Sequence, residues 1–253
     1  MCIALISDIH GNLPALEAVL ADVRARRVDR IICLGDAALF GPQPGACLDR
    51  LRAVGCPVVM GNTDAWALHP QPHPRRDENS ARIEAIERWG AARLTDEQLA
   101  YIHSFQPTVR WTLGTGVELL AYHGSPRSFH DPIVAATPDK ELDAYFGAET
   151  AQVLAGGHTH TQFLRRYRES LLLNPGSVGL PYVVSAQEGR SYHPAYAEYA
   201  VVCCRGAAIS VEFYQALYAL EDLAAAVKSN EMPYADWWLA DWMRAGGGSP
   251  QGS

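Results

Sequence analysis

No run of 18 consecutive apolar residues occurs in the 253-residue sequence, so it offers no candidate for a membrane-crossing helix. The chain enters an apolar run at Cys2 and meets Asp8 at its end, without the basic, apolar and small-residue order of a leader, and no signal peptide is expected. Positive charge is also short. Against 28 Asp and Glu stand 21 Lys and Arg, a formal net charge of -7, which excludes the basic footprint that duplex nucleic acid requires. Cysteine is sparse: Cys2, Cys33, Cys47, Cys56, Cys203 and Cys204 form no CxxC pair, and no thiolate zinc cluster is written here. Cys2, Cys33, Cys203 and Cys204 fall in strand-like runs, where buried free thiols are expected, with adjacent Cys203 and Cys204 on opposite faces. These absences fit a cytoplasmic, reducing setting without a membrane or duplex nucleic-acid partner.

What is present is a 48% hydrophobic chain, long enough to bury the core of one large α/β domain. Five short motifs stand in order along it: Asp8-Ile9-His10, Gly35-Asp36, Gly61-Asn62, His123-Gly124 and Gly157-His158-Thr159-His160. Each follows an apolar run: Cys2-Ile3-Ala4-Leu5-Ile6, Arg30-Ile31-Ile32-Cys33-Leu34, Pro57-Val58-Val59-Met60, Leu119-Leu120-Ala121-Tyr122 and Val153-Leu154-Ala155. Near-continuous apolar runs of this length read as strands buried on both faces, and functional groups collect beyond their carboxyl ends. A lone D-x-H or GD is ordinarily a turn or a helix cap; five of them, ordered and each at a strand end, are not. Together Asp, His and Asn supply mixed oxygen and nitrogen donors suited to divalent Mn, Fe, Co, Ni or Zn. The chemistry expected of such a two-metal site is hydrolysis at phosphorus.

Helices are expected between the first strands. Asn12 can cap and Pro14 can open a segment whose Leu16, Val19, Leu20 and Val23 share one face, and a second helix is predicted over residues 44–54 with Leu48 and Leu51 inward. A β-α-β-α-β start over about the first 60 residues then brings Asp8, His10, Asp36 and Asn62 side by side. His158 and His160, two apart on what reads as an extended stretch, are expected to point the same way.

The series D-x-H, GD, GN, H and GHxH resembles the signature of the calcineurin-like metallophosphoesterases, from residue 1 to about residue 214. The wording Asp8-Ile9-His10-Gly11-Asn12, Gly61-Asn62-Thr63-Asp64 and Asn174-Pro175-Gly176-Ser177 is similar to their small bacterial and archaeal phosphodiesterase branch. The resemblance implies a four-layer α/β/β/α sandwich with two central mixed sheets and the metals at the carboxyl ends of the strands. It implies Asp8, His10 and His160 on one ion, Asn62, His123 and His158 on the other, and Asp36 between them, with Asp36, Asn62 and His123 the catalytic residues. One departure stands out. Much of the superfamily reads GNH[DE], with a His placed to protonate the leaving oxygen; here that position is Thr63, which has no pKa near neutrality. Of the histidines outside the motifs, His69, His73, His103, His130 and His193, ordinary solvated or hydrogen-bonded residues are expected, and His130 and His73 are the candidates for a substitute acid.

Residues 1–245 read as one metallophosphoesterase domain, residues 65–105 being a helical insertion over the site. In it His69-Pro70-Gln71-Pro72-His73-Pro74 can only be loop, helical sequence surrounds residues 83–89, and Thr95-Asp96-Glu97-Gln98 has the form of a capping box before Leu99 and Ile102. Arg75, Arg76 and Trp66 could meet a phosphate and a base, and Arg127 is the better placed phosphate contact. Strands are expected over residues 163–168, 170–173, 199–204 and 207–214, the last two flanking a turn at Arg205-Gly206. Asn174-Pro175-Gly176-Ser177 is expected to support the site from behind. C-terminal helices fill residues 215–245: the first, over residues 215–228, turns Leu217, Leu220, Leu223, Ala224 and Val227 inward, and Trp237, Trp238, Trp242 and Met243 pack on the core or on a second copy of the chain. Residues 246–253 are expected to be a disordered tail.

The function expected is dinuclear metal-dependent hydrolysis of a small, nucleotide-like phosphodiester or phosphoanhydride, a hydroxide bridging the ions attacking phosphorus in line. Phosphomonoesterase or protein phosphatase activity is the alternative within hydrolases. A non-catalytic scaffold, as in the retromer subunit that resembles this branch, is the alternative outside them; lost ligands would mark it, and none is lost.

Overall fold

The computed structural model describes residues 1–74, 77–184, 191–206 and 208–243, the side chain of Met243 excepted. Its first strand, β1 (Cys2–Ile6), needs its uninterrupted apolar run because both faces are covered: Ile3 and Leu5 face a second sheet, while Ala4 and Ile6 face helices. Helix α1 (Leu13–Arg26) starts where the Asn12 side chain accepts from Ala15 N at 3.1 Å, and it buries Leu16, Val19, Leu20 and Val23 as their spacing predicts. Each such side chain, removed from water, contributes roughly 1.5–3 kcal/mol. Strand β2 (Arg30–Cys33) lies parallel to β1, and α2 (Pro44–Val54) follows, ended by Gly55 in the left-handed conformation with Leu48 and Leu51 buried.

Residues 57–60 do not form the third strand that the apolar run suggested. Val58 bridges to Cys33 and Val59 to Gln106, two isolated pairs, because the chain turns at Gly61 straight into α3 (Asn62–Leu68). Two further helices follow, α4 (Glu78–Ala91) and α5 (Asp96–His103); Thr95 and Gln98 make the expected reciprocal cap.

The second sheet begins with β3 (Val109–Gly114) and β4 (Val117–Ala121), then α6 (Asp139–Phe146) leads to β5 (Val153–Ala155), β6 (Phe163–Tyr167) and β7 (Ser170–Asn174). Its order is β3-β4-β5-β7-β6. A two-residue pair, β8 (Val183–Val184) and β9 (Ser191–Tyr192), precedes the long hairpin β10 (Tyr196–Arg205) and β11 (Ala208–Leu217), which returns to the first sheet in the order β11-β10-β1-β2. The two sheets are mixed and face each other through Leu5, Ile32, Leu119, Ala121, Val153 and Val202, all fully buried. Outside them α1 and α2 cover the first sheet, and α6 packs Leu142 and Phe146 on the second. This is the four-layer sandwich expected from the resemblance.

Two expectations are corrected. The helix predicted from residue 215 begins at α7 (Leu220–Ser229), since β11 runs on to Leu217, paired with Tyr196 and 81% exposed instead of inward. Ten residues of antiparallel pairing outweigh the helical spacing. Cys2 and Cys203 are not free thiols. They are register partners on the same face of β1 and β10, with Cα atoms 4.0 Å apart, and are joined as a disulfide; Cys33, Cys47, Cys56 and Cys204 are free. Cys204 does turn to the opposite face from Cys203, between the sheets.

The last helix, α8 (Ala235–Met243), buries Trp238 and Trp242 with Leu223 and Val227 of α7, Ile86 of α4 and Leu180. No helix among the described residues is long and apolar enough to cross a membrane. Residues 246–253 lie outside the described residues.

Candidate metal centre

Asp8, His10, Asp36, His123, His158 and His160 emerge from the carboxyl end of a strand or the turn after it, Asn62 opens α3, and five of these residues pay for their aim in backbone conformation. Asp8, His10, Asp36, His158 and His160 have φ between 47° and 68°. For residues with a Cβ this left-handed region costs roughly 1–2 kcal/mol each. Main-chain bonds between neighbouring motifs hold them there: Asp8 N donates to Gly35 O, His10 N to Asp36 O, Gly157 N to His123 O and Gly179 N to Asp8 O, each at 2.9 Å. His158 and His160 are therefore not on extended backbone as expected. They lie in a tight turn and serve separate clusters: Asp8, His10 and His160 in one, Asp36, His123 and His158 in the other. In each cluster one potential ligand atom per residue lies within 4.8 Å of the others.

The tautomers follow from the surroundings. Nδ1 of His10 lies 2.9 Å from Leu39 O, that of His123 2.8 Å from Leu34 O and that of His160 3.0 Å from Leu180 O. A carbonyl only accepts, so each Nδ1 carries a proton and each Nε2 faces inward, the atom through which the ring would reach a cation. These Nε2 atoms meet one another and the carboxylates. His10 Nε2 lies 3.2 Å from His160 Nε2, and His160 Nε2 lies 3.2 Å from Asp8 Oδ1, a buried oxygen with no hydrogen-bond partner among the described residues. Asn62 turns Oδ1 toward His123 Nε2 at 3.0 Å. Were the amide reversed, its NH2 would donate to His123 Nε2, His158 Nδ1 and Asp36 Oδ2 at 3.0, 3.0 and 3.2 Å, which is the arrangement hydrogen bonding alone prefers. An oxygen among three acceptors is the arrangement a cation prefers. The donor set thus fits divalent ions of the borderline class.

Charge in the cluster is divided by the same geometry. Burial alone would raise the Asp36 carboxyl, but His123 and His10 outweigh it and hold it far below the usual range. Burial likewise opposes ionisation of Asp8, and His160 and His123 bring it down. Burial lowers His10 and His158, whereas in His123 the carboxylate of Asp36 overcomes burial and lifts the pKa to about 9. Burial also works against His160, which Asp8 raises.

Asp64 is fully buried and accepts from the main-chain N of Asp36 (2.8 Å), Ala37 (3.0 Å) and Gly61 (3.1 Å), tying the second motif to the third. Burial, and then the charge of Asp36, push its pKa up to about 7. Its place, third in α3, is where an acid reaches back to the main chain at the start of a helix. Gly61 itself permits the approach, since a Cβ there would sit 2.1 Å from Asp36 Oδ1. The turn at residues 174–177 supports the centre from behind as expected: Asn174 Nδ2 donates to Gly157 O at 2.6 Å, and Ser177 Oγ to Asp8 O at 2.7 Å.

Two adjoining hollows of about 220 Å³ each open at the centre. His10, Asp36, Asn62, His158 and His160 line the first, with Phe40 and Leu180 as walls and Ile83 and Glu87 of α4 above. Asn62, Thr63, Trp66, His73, Glu87 and His130 line the second. Arg127 lines neither; its guanidinium donates to Ala144 O on α6. Arg75 and Arg76 lie outside the described residues. His69 and His103 are exposed, and His193 Nδ1 meets Pro181 O while its ring packs on Trp242. A larger cavity of about 440 Å³ lies at the far end of the first sheet, rimmed by Arg24, Arg27, Arg30 and Arg50. Several of these sit near helix carboxyl ends, where cations offset the dipole.

Comparison with known proteins agrees with this geometry. The profile of the Calcineurin-like phosphoesterase superfamily domain matches residues 1–199. The chain is 30% identical over 194 residues to an uncharacterized protein of Methanocaldococcus jannaschii, covering 71% of this chain and 76% of that protein. Its fold is similar to a crystal structure of a metallophosphoesterase from Sphaerobacter thermophilus, with 27% identity, a TM-score of 0.72 and coverage of 95% and 98% of the two chains. A hypothetical protein of Pyrococcus horikoshii shares the fold at a TM-score of 0.77 and 18% identity, again over 95% and 98%.

Proposed function

We propose, from the premise that this chain belongs to the calcineurin-like phosphoesterase superfamily, that its two ligand clusters hold two divalent transition-metal ions and hydrolyse a small phosphodiester or phosphoanhydride. The observation that carries this reading is the convergence of Asp8, Asp36 and Asn62 side-chain oxygens with the inward-facing Nε2 atoms of His10, His123 and His160. Asp8, His10 and His160 would hold one ion, Asn62, His123 and His158 the other, and Asp36, whose Oδ2 lies 3.7 Å from His10 Nε2 and 3.4 Å from His123 Nε2, would be shared. Bound ions supply Lewis acidity and water of lowered pKa.

The chain supplies position. The Nδ1 contacts of His10, His123 and His160 to carbonyls fix their rings, and Asp64 fixes the Asp36 and Gly61 main chain against each other. Glu87 and Ile83 of α4 stand above the first hollow and narrow the entry of water. Two hollows of about 220 Å³ suit a phosphate and a compact leaving group, which favours a small ester over a phosphoprotein. Purified protein should carry up to two transition-metal ions per chain. Chelation should abolish hydrolysis of a nitrophenyl phosphodiester, and Mn(II) should restore it. Activity that survives complete chelation would overturn the reading.

A further inference from the structure

When an ester oxygen leaves phosphorus it takes the electron pair of the broken bond, and a positioned acid that supplies its proton speeds the step by about 10²–10⁴-fold. Few groups facing the two hollows can do so. His10, Asp36, Asn62, His158 and His160 belong to the ligand clusters, and the hydroxyl of Thr63 does not titrate near neutrality. Glu87, His73 and His130 remain.

His130 is exposed, and its ring makes no hydrogen bond among the described residues. His73 is held on three sides. Its Nε2 lies 2.5 Å from Glu87 Oε2, its ring stacks on Trp66 with centroids 5.3 Å apart and 10° between planes, and its main-chain N donates to Glu84 Oε2 at 3.1 Å. A ring nitrogen held by a buried carboxylate, with no bond to the other nitrogen among the described residues, is the arrangement that aims an imidazole for proton transfer. Glu87 is buried and lines both hollows, so the pair stands in the wall between the ligand clusters and the second hollow. Among the described residues, the other charged or titratable groups facing the ring are Glu84 and, across Trp66, Arg88 from α4, and His130 from the loop after β4.

Resting on the phosphoesterase reading above, we propose that His73, oriented by Glu87, protonates the leaving oxygen of a substrate whose leaving group occupies the second hollow. As a water-derived hydroxide forms its bond to phosphorus, the P–O bond to the leaving group breaks, its electron pair stays on the leaving oxygen, and the proton of His73 Nδ1 passes to that oxygen. The neutral imidazole keeps Nε2–H on Glu87 and regains its proton from solvent, to which the side chain is 32% exposed. His73 is the catalytic residue and Glu87 the positioning residue.

The test uses the full chain loaded with Mn(II) and a series of aryl phosphodiesters whose leaving groups run from nitrophenol to unsubstituted phenol. In His73→Gln the rate on the phenyl ester should fall about 10²–10³-fold and that on the nitrophenyl ester much less, so the dependence on leaving-group pKa steepens at parental metal content. Glu87→Gln should steepen it in the same direction by a smaller factor, an effect that loss of packing alone would not produce. A parent without metal-dependent hydrolysis would overturn the phosphoesterase reading and this inference with it. A parent that hydrolyses the series, with the dependence unchanged in both variants or with all rates falling equally, would overturn this inference alone.

Discussion

At the scale of the residue, the centre depends less on its ligands than on what fixes them. Asp64 satisfies three buried main-chain N–H groups and touches no ligand atom of the clusters. Asp64→Ala leaves all three unpaired, each costing about 1–3 kcal/mol, so urea denaturation should show a loss of at least about 3 kcal/mol, together with reduced metal content. Parental stability in that variant would show that water replaces the carboxylate. The residues of the two clusters were legible because a motif at the end of an apolar run needs only local sequence to be recognised. The role of Asp64 was not, because its partners are main-chain atoms, which look the same in every sequence. Nor could the letters His158-Thr159-His160 tell extended backbone from left-handed, a choice made by the bonds of Gly157 and Asn174.

Elements were legible where burial and local preference agree and misread where they conflict. In α1 the cap, the proline and the apolar face coincide, and the helix is found where predicted. After residue 214 the spacing of Leu217 and Leu220 suits a helix, yet pairing with β10 keeps residues 215–217 in β11; partner choice across 20 residues is not written in either segment alone. The Cys2–Cys203 pairing needs a register for the same reason. The start of α1 carries a second duty that the sequence did not disclose. Asn12 Nδ2 donates to Gly179 O at 3.0 Å, tying the helix to the turn that also receives Ser177 and Asp8. Asn12→Ala should therefore cost more than the roughly 1 kcal/mol of a lost cap, about 2 kcal/mol in thermal or urea unfolding. Asn12→Ser, which restores only the cap, should recover about half.

For the molecule as a whole, stability should fall as pH rises from about 4.5 through 7 because of one buried acid in β10. Glu198 is 9% exposed, and burial raises its pKa to about 7 from an ordinary 4.5. The native state then holds a proton that the unfolded chain has released between those values, so this contribution is complete below pH 4.5 and is lost as pH rises through 7. Its upper size is on the order of 3 kcal/mol. The stability difference between Glu198→Gln and the parent should move in favour of the variant from pH 5 to pH 8; a difference that is flat with pH would remove Glu198 from this role. The bond between Cys2 and Cys203 gives the same molecule a topological property. Sequence positions 2 and 203 close a covalent ring that contains every cluster residue and the whole insertion. A single cut anywhere inside that ring, even in the exposed loop around Pro70, opens a circle instead of releasing a fragment. While the bond is oxidised, the two halves that carry Asp8 and His160 remain one molecule.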